Sequence, residues 1–345
     1  MRRLLVDFAG IGDLLMLTPL MRHLAKDGSL ELLTRPLGRE LFRGQPFVAD
    51  VHVLRKPNVA RGPRLMIYGD ERARLGGEVL SRRGFDEIVI FRQERAVIRE
   101  WLRSWRGGAR LVECDLKPPP GGSMVEISGP ALGSAGYDLA GFDPVPTLFV
   151  GEDARRAARG RLSALGKRVV VIHPGSSQTR RFLRKGPHLK GLTAEQWAGL
   201  VTRILESGDA DAVAVAGSAA EGSCARAILA LLPRFPGRVH DLTARLSLPE
   251  LVAVLSAAHA LVSIDSGPAH IAAAVGCPLL DVFGPTDPRL YLPKGTAPVE
   301  MALGSAPCQF CEGTRLWKTC GDNVCLKSLT VDALFGRWRA LHARI

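Results

Sequence analysis

The sequence predicts an α/β protein built from two doubly wound domains, and three observations carry that prediction. At 345 residues the chain has the length of about two ordinary domains. Short apolar runs alternate with stretches of helical period, the pattern of mostly parallel sheets covered on both faces. The alternation lapses into proline- and glycine-rich sequence between residues 117 and 146 and then restarts, which places a boundary or linker there. The expected units are 1–150, 151–329 and a terminal helix at 330–345. With 46% hydrophobic and 23% charged residues, the composition supplies sizeable cores and excludes disorder, collagen and coiled coil.

In chain order, RRLLVDF reads as a buried strand, AGIG as a tight turn, and DLLMLTPLMRHLAKDG as one helix with Asp13 near its start. LELLTRP, VADVHVL, RLMIYG and DEIVIF follow as strands. IREWLRSWRGGAR reads as a helix with a buried tryptophan face, or alternatively as a surface for an acidic membrane or acceptor. After the boundary, KRVVVIHPGS is a strand running into a loop, LTAEQWAGLVTRILESG an amphipathic helix, and DAVAVAGSAAEGSCARAILALL a strand, turn and helix. RVHDLT, HALVSIDSGPAHIAAAVG and PLLDVFG continue the alternation. LTVDALFGRWRALHARI closes the chain as a helix capped by Thr330.

The 46 Lys and Arg residues against 34 Asp and Glu give a net charge of +12. That field favours anions: nucleotides, phosphorylated sugars, acidic lipid headgroups or nucleic acid. Asp7 and Asp13 interrupt the apolar N-terminal stretch, so it does not read as a signal peptide. No apolar run approaches the ~18 residues of a spanning helix, and a cytoplasmic protein, at most touching a membrane surface, is expected.

Three segments carry candidate chemistry. In SIDSGPAHIAAAVGCP a strand ends at Asp265, Ser266 and Gly267, and a helix opens at Pro268, with His270 one turn in. The N–H groups of such a helix start bind phosphate, and the helix dipole adds to the attraction. The plainer reading is a helix capped by Ser266 or Asp265, with His270 satisfied in the core. In HPGSSQTRRFLRKGPHLKGLTAEQW a small-residue loop holds Ser176 and Ser177, followed by Arg180, Arg181, Arg184, Lys185 and Lys190. Hydroxyls and an ammonium there suit a diphosphate leaving group, and a solvated basic loop is the alternative. In AGIGDLLMLTPL, Asp13 stands at the tip of the first strand. It is placed to accept a proton from a substrate hydroxyl or simply to cap its helix.

These segments in this order resemble the family 9 glycosyltransferases, the group containing the lipopolysaccharide heptosyltransferases. The resemblance runs through GIGDLLMLTPLMRHL, HPGSS, KGLTAEQW, AGSAAEGSCARAI and IDSGPAHIAAAVGCPLLDVFGPTDP. It implies GT-B architecture, two Rossmann-like domains facing a cleft, with the acceptor on the first and a nucleotide-sugar donor on the second. It further implies an inverting reaction with no metal ion or other cofactor, Asp13 as the base, and Ser176, Ser177 and Lys190 at the diphosphate. Glu221 matches the ribose-binding acid, and Asp265, Ser266, Gly267 and His270 match the segment holding the donor's sugar and diphosphate. Lys185 is a rival to Lys190, which the position of Trp197 favours. Where members often continue Arg-Trp-Pro after the lysine, this chain has Gly191, Leu192 and Thr193, so the donor pocket is expected to differ in shape. The implied donor is ADP-heptose and the implied acceptor a lipopolysaccharide core or another glycan, lipid-linked or not; at most peripheral contact with the inner membrane is expected. A relative using another nucleotide sugar or another acceptor, such as a protein or small molecule, is the alternative within the family.

Cys308, Cys311, Cys320 and Cys325 form C-x2-C-x8-C-x4-C, compatible with structural zinc or with free thiols. Cys114, Cys224 and Cys277 read as core residues. A basic nucleic-acid-binding protein is the competing class, but no nucleic-acid module is visible and none is expected as a partner.

Overall fold

The computed structural model describes residues 1–54, 74–81, 83–92, 96–118, 121–176 and 190–345. It divides into Met1–Phe149 and Val150–Ile345, here units 1 and 2.

Unit 1 is built on β1 (Arg2–Val6), β2 (Ser29–Thr34), β3 (Asp50–Val53), β4 (Glu87–Phe91) and β5 (Arg110–Cys114). All pair in parallel, in the order β3-β2-β1-β4-β5. Leu4, Val6, Ile88 and Ile90 turn one face into a core shared with Trp101 and Leu102. These two belong to the helix Ala96–Trp105, and Trp101 is only 1% exposed. Trp105 packs over Gly76, where a Cβ would come within 2.2 Å of its ring. The tryptophan face is therefore core, not membrane surface. The expected strand RLMIYG lies outside the described residues.

The single helix expected after β1 forms as two, α1 (Ile11–Met16) and α2 (Thr18–Leu24). Pro19 has no N–H for the Leu15 carbonyl, so the ladder breaks there. The Thr18 hydroxyl donates to that carbonyl instead, at 2.8 Å. The proline- and glycine-rich stretch is not a free linker either. It folds back on α1 and α2: Ser128 donates to the Met16 carbonyl at the end of α1 at 2.8 Å, and Arg22 of α2 donates to the carbonyls of Asp143 and Val145 at 3.0 and 2.8 Å. Side-chain donors on α2 thus satisfy the carbonyls that a turn-rich segment leaves unpaired.

Unit 2 has β6 (Val169–His173), β7 (Ala212–Val215), β8 (Val239–Asp241), β9 (Ala260–Ile264), β10 (Leu279–Phe283) and β11 (Val299–Leu303). Their order is β11-β10-β9-β6-β7-β8, again parallel. Val170, Ile172, Val262, Ile264, Leu280 and Val282 point to one face. There they meet Trp197 of the helix Ala194–Glu206 and Trp338 of the helix Val331–His342. Thr330 caps the latter helix as expected, accepting from Ala333 N at 3.1 Å. Trp338 Nε1 donates to Asp209 at 2.9 Å, which ties the last helix into unit 2. Among the described residues no helix is long and apolar enough to cross a membrane.

Candidate functional site

The strand order of unit 2 reverses between β6 and β9, and doubly wound sheets take ligands at the carboxyl ends beside such a reversal. Past β6 the chain runs from His173 through Pro174 and Gly175 to Ser176, which is buried. Past β9 it turns through Asp265 and Ser266 into α3 (Gly267–Ala274).

Lys190 reaches the same ground. Its ammonium lies 2.8 Å from the Asp265 carboxylate and 2.9 Å from that of Glu312. Burial alone pulls a lysine toward neutrality, but the two carboxylates outweigh it and raise the pKa, so Lys190 stays a cation. Glu312 is fixed in turn: the Thr286 hydroxyl donates to it at 2.8 Å, and its own N–H donates to the Pro285 carbonyl at 3.0 Å.

No side chain caps α3. Ser266 turns its hydroxyl back to Ser263, 3.2 Å away, and to His173 Nδ1, 3.4 Å away, while Asp265 pairs with Lys190. The capping role read for either residue does not form, and Pro268 in the first turn has no N–H to satisfy. The positive end of the helix thus stays open to an anion. His270 is buried one turn further along.

Glu221 ends the short turn Ala219–Glu221 after β7 and is 5% exposed. Its Oε2 accepts from the Ser218 N–H at 2.7 Å and the Ser218 hydroxyl at 2.6 Å. Two glycines make its space: a Cβ on Gly175 would stand 2.1 Å from Glu221 Cγ, and one on Gly217 2.8 Å from its Cβ.

In unit 1, Asp13 follows the carboxyl end of β1, the strand beside which that sheet's order reverses. Its side chain is exposed and accepts from the Gly10 N–H at 3.2 Å. It stabilises the first turn of α1 while leaving the carboxylate accessible. Ser177, Arg180, Arg181, Arg184 and Lys185 lie outside the described residues.

The sequence pattern of glycosyltransferase family 9 (heptosyltransferase) matches residues 89–314. The chain belongs to glycosyltransferase family 9. Lipopolysaccharide heptosyltransferase 3 of Escherichia coli is 27% identical over 191 residues, 55% of this chain and 52% of that one. The family 9 chain spans about half the length of the curated relatives it matches. The solved structure of E. coli ADP-heptose lipopolysaccharide heptosyltransferase II superposes with a TM-score of 0.74 at 18% identity, covering 99% of both chains. A family 9 glycosyltransferase from Veillonella parvula gives 0.78 at 13% identity, covering 100% of this chain and 98% of its own. The fold is the GT-B class, with two Rossmann-like units.

Three residues of this family 9 chain escaped the sequence reading. Glu312 lies in a cysteine-rich loop that nothing in the sequence tied to Lys190. Asp281 sits wholly buried in β10; burial, with Asp265 nearby, pushes its carboxyl well above the usual range. An acid inside the apolar run PLLDVFG was the available signal. Burial depresses His173 to about 4, against an opposing pull from Glu221, so its ring is neutral near pH 7. As for Cys308, Cys311, Cys320 and Cys325, all are free thiols. No three of their sulfurs converge within 4.8 Å among the described residues, so the zinc arrangement is not formed here. The groups that do converge to that distance are Glu31, Asp50 and His52 of unit 1, and Arg2 and Arg83 already neutralise them.

Proposed function

We propose that this chain is an inverting, metal-independent glycosyltransferase moving heptose from ADP-heptose to a lipopolysaccharide core or related lipid-linked glycan. In this reading unit 2 holds the donor. Glu221 accepts hydrogen bonds from the ribose hydroxyls, while Ser176, Ser177, Lys190 and the start of α3 meet the diphosphate. Asp265, Ser266, Gly267 and His270 border the sugar and diphosphate. Asp13 takes the proton from the acceptor hydroxyl as that oxygen attacks the anomeric carbon. The bond from that carbon to the diphosphate oxygen breaks with its electron pair, and the nucleoside diphosphate departs. The Lys190 ammonium and the helix start balance the charge that develops on the leaving group. The displacement is single, so configuration inverts. The reading places the enzyme in the cytoplasm, with its acceptor presented at the inner face of the membrane.

The observation that carries this reading is the half-buried Lys190 beside an uncapped helix start at the β6/β9 reversal. Donor use is tested by incubating the protein with ADP-, UDP- and GDP-sugars and measuring which nucleotide is released and which raises the melting temperature. ADP-heptose is expected to be turned over. Turnover of only a UDP- or GDP-sugar would replace the donor, and oligonucleotide binding without any turnover would replace the reading.

A further inference from the structure

Unit 1 carries a second polar region that uses none of these residues. A groove of about 430 Å³ runs along β5, lined among others by Arg92, Arg103, Arg106, Arg110, Glu113 and Ser134. Among the described residues β5 is an edge strand. The Arg110 N–H donates to the Asp86 carbonyl at 2.8 Å, and the Cys114 carbonyl accepts from the Arg92 N–H at 2.8 Å, so residues 110, 112 and 114 face β4. By strand alternation Leu111 and Glu113 turn their backbone N–H groups toward the free edge. Ser134 closes one end, its hydroxyl accepting from the Asp115 N–H at 2.8 Å.

The charges along this edge do not balance. Arg110 is committed to Glu87, and Glu113 is shared by Arg103 at 2.8 Å and Arg99 at 3.8 Å. Among the described residues Arg106 donates to the Ala109 carbonyl alone, at 3.2 Å, and neither Arg92 nor Arg106 has an ion pair there. Guanidiniums gathered on one rim repel one another unless an anion joins them. Guanidinium forks beside outward-facing amides are the donor set that oxyanions select. The volume exceeds what a bare phosphate fills and falls in the range of small-molecule sites.

We propose that this groove binds a phosphate-type oxyanion, with room for a sugar-sized carrier. The inference does not depend on the transferase reading. It is tested by calorimetric titration of the full chain with hexose 6-phosphate, inorganic phosphate and free hexose, repeated on Arg92→Gln, Arg106→Gln and Arg39→Gln. Arg39 is an exposed arginine of unit 1 outside the groove, so a general effect of net charge moves all three variants together. Hexose 6-phosphate is expected to bind, and Arg92→Gln and Arg106→Gln each to weaken it about tenfold or more, as loss of a charge-assisted hydrogen bond does. Arg39→Gln and the uncharged hexose are expected to show no such effect and no binding, respectively. Tighter binding of the sugar phosphate than of inorganic phosphate assigns the site to a carried phosphate, and equal binding assigns it to the free ion. Affinities that are the same in all three variants, or no phosphate binding at all, overturn the proposal.

Discussion

Apart from Asp7, just past β1, and Asp209, just before β7, the two units set their buried ionisable groups toward opposite ends of their sheets. In unit 1, Arg3, Glu31 and Glu87 lie toward the amino ends of the strands, and each has an oppositely charged partner. Arg3 meets Glu87 at 2.8 Å, with the Tyr137 hydroxyl donating to the same carboxylate at 2.9 Å. Glu31 takes Arg2, His52 and Arg83, and although burial opposes it, these partners hold its carboxyl down to about 2. In unit 2 such groups collect toward the carboxyl ends, where half-buried Lys190 faces Asp265 and Glu312, with buried Glu221 and the buried Asp281 carboxyl, its pKa raised, in the same unit. The first set staples neighbouring strands. The second gathers perturbed groups, Lys190, Asp281 and His173, at the end of the sheet that takes ligands, which is where such groups mark a candidate site. At the carboxyl end of β1, unit 1 offers the exposed Asp13, so the division proposed is between a single reactive group and a binding apparatus.

Asp13 is where that division breaks with the largest effect. Asp13→Asn retains an acceptor for the Gly10 N–H and removes the base. Turnover is expected to fall about 10²–10⁴-fold with nucleotide affinity unchanged, read by a transfer assay beside nucleotide calorimetry; an unaltered kcat would take Asp13 out of the mechanism. Lys190→Ala tests the other side. Loss of a charge-assisted contact to phosphate is expected to weaken ADP binding roughly 10–100-fold. The melting temperature should also drop, because Asp265 and Glu312 would then face each other without a cation. Undiminished ADP affinity would move the phosphate contact elsewhere.

Much of this arrangement was legible in the residues, for physical reasons that can be named. Strands buried on both faces are continuous apolar runs, so RRLLVDF, KRVVVIHPGS and PLLDVFG announced themselves. The glycine–proline turn after β9 marked a helix start because proline, lacking an N–H, suits the first helical turn. The strands Arg110–Cys114 and Val299–Leu303 went unread because edge strands are shorter of apolar sequence. The Pro/Gly stretch before residue 146 looked like a linker because its partners are carbonyls, to which α2 supplies the donors, and composition carries no sign of them. Glu312 was invisible for a similar reason: its meeting with Lys190 joins residues 122 positions apart, and no local pattern encodes it.

Gly175 sharpens the comparison from the packing side. An alanine there would put its Cβ 2.1 Å from Glu221 Cγ, and that side chain is buried and tied to Ser218, so it cannot swing clear cheaply. Overpacking of this kind costs about 1–3 kcal/mol. Gly175→Ala is expected to lower stability by that amount in urea unfolding and to weaken nucleotide binding along with it. A variant with normal stability and affinity would show that Glu221 is free to move and is not held for a ligand.

The smallest effect separates the units by pH. His173 ordinarily titrates at 6.5, and burial brings it to about 4 in the folded chain. Between those values the unfolded chain binds the extra proton, so its stabilising contribution is complete above 6.5 and is lost as pH falls toward 4. Glu31 runs from 4.5 unfolded to about 2 folded, so its contribution is complete above 4.5 and is lost only as pH falls from there toward 2. Urea unfolding at pH 7 and pH 5 should therefore report unit 2, with a loss on the order of 2 kcal/mol from His173. His173→Gln should flatten that step while leaving the loss below pH 4.5 in place. His259, whose ring is depressed by burial as well, remains in both proteins and cancels. An unchanged slope in the variant would mean that His173 is solvated enough to titrate normally, and the buried polar row behind Ser266 would then not be the closed support for the helix start that its geometry describes.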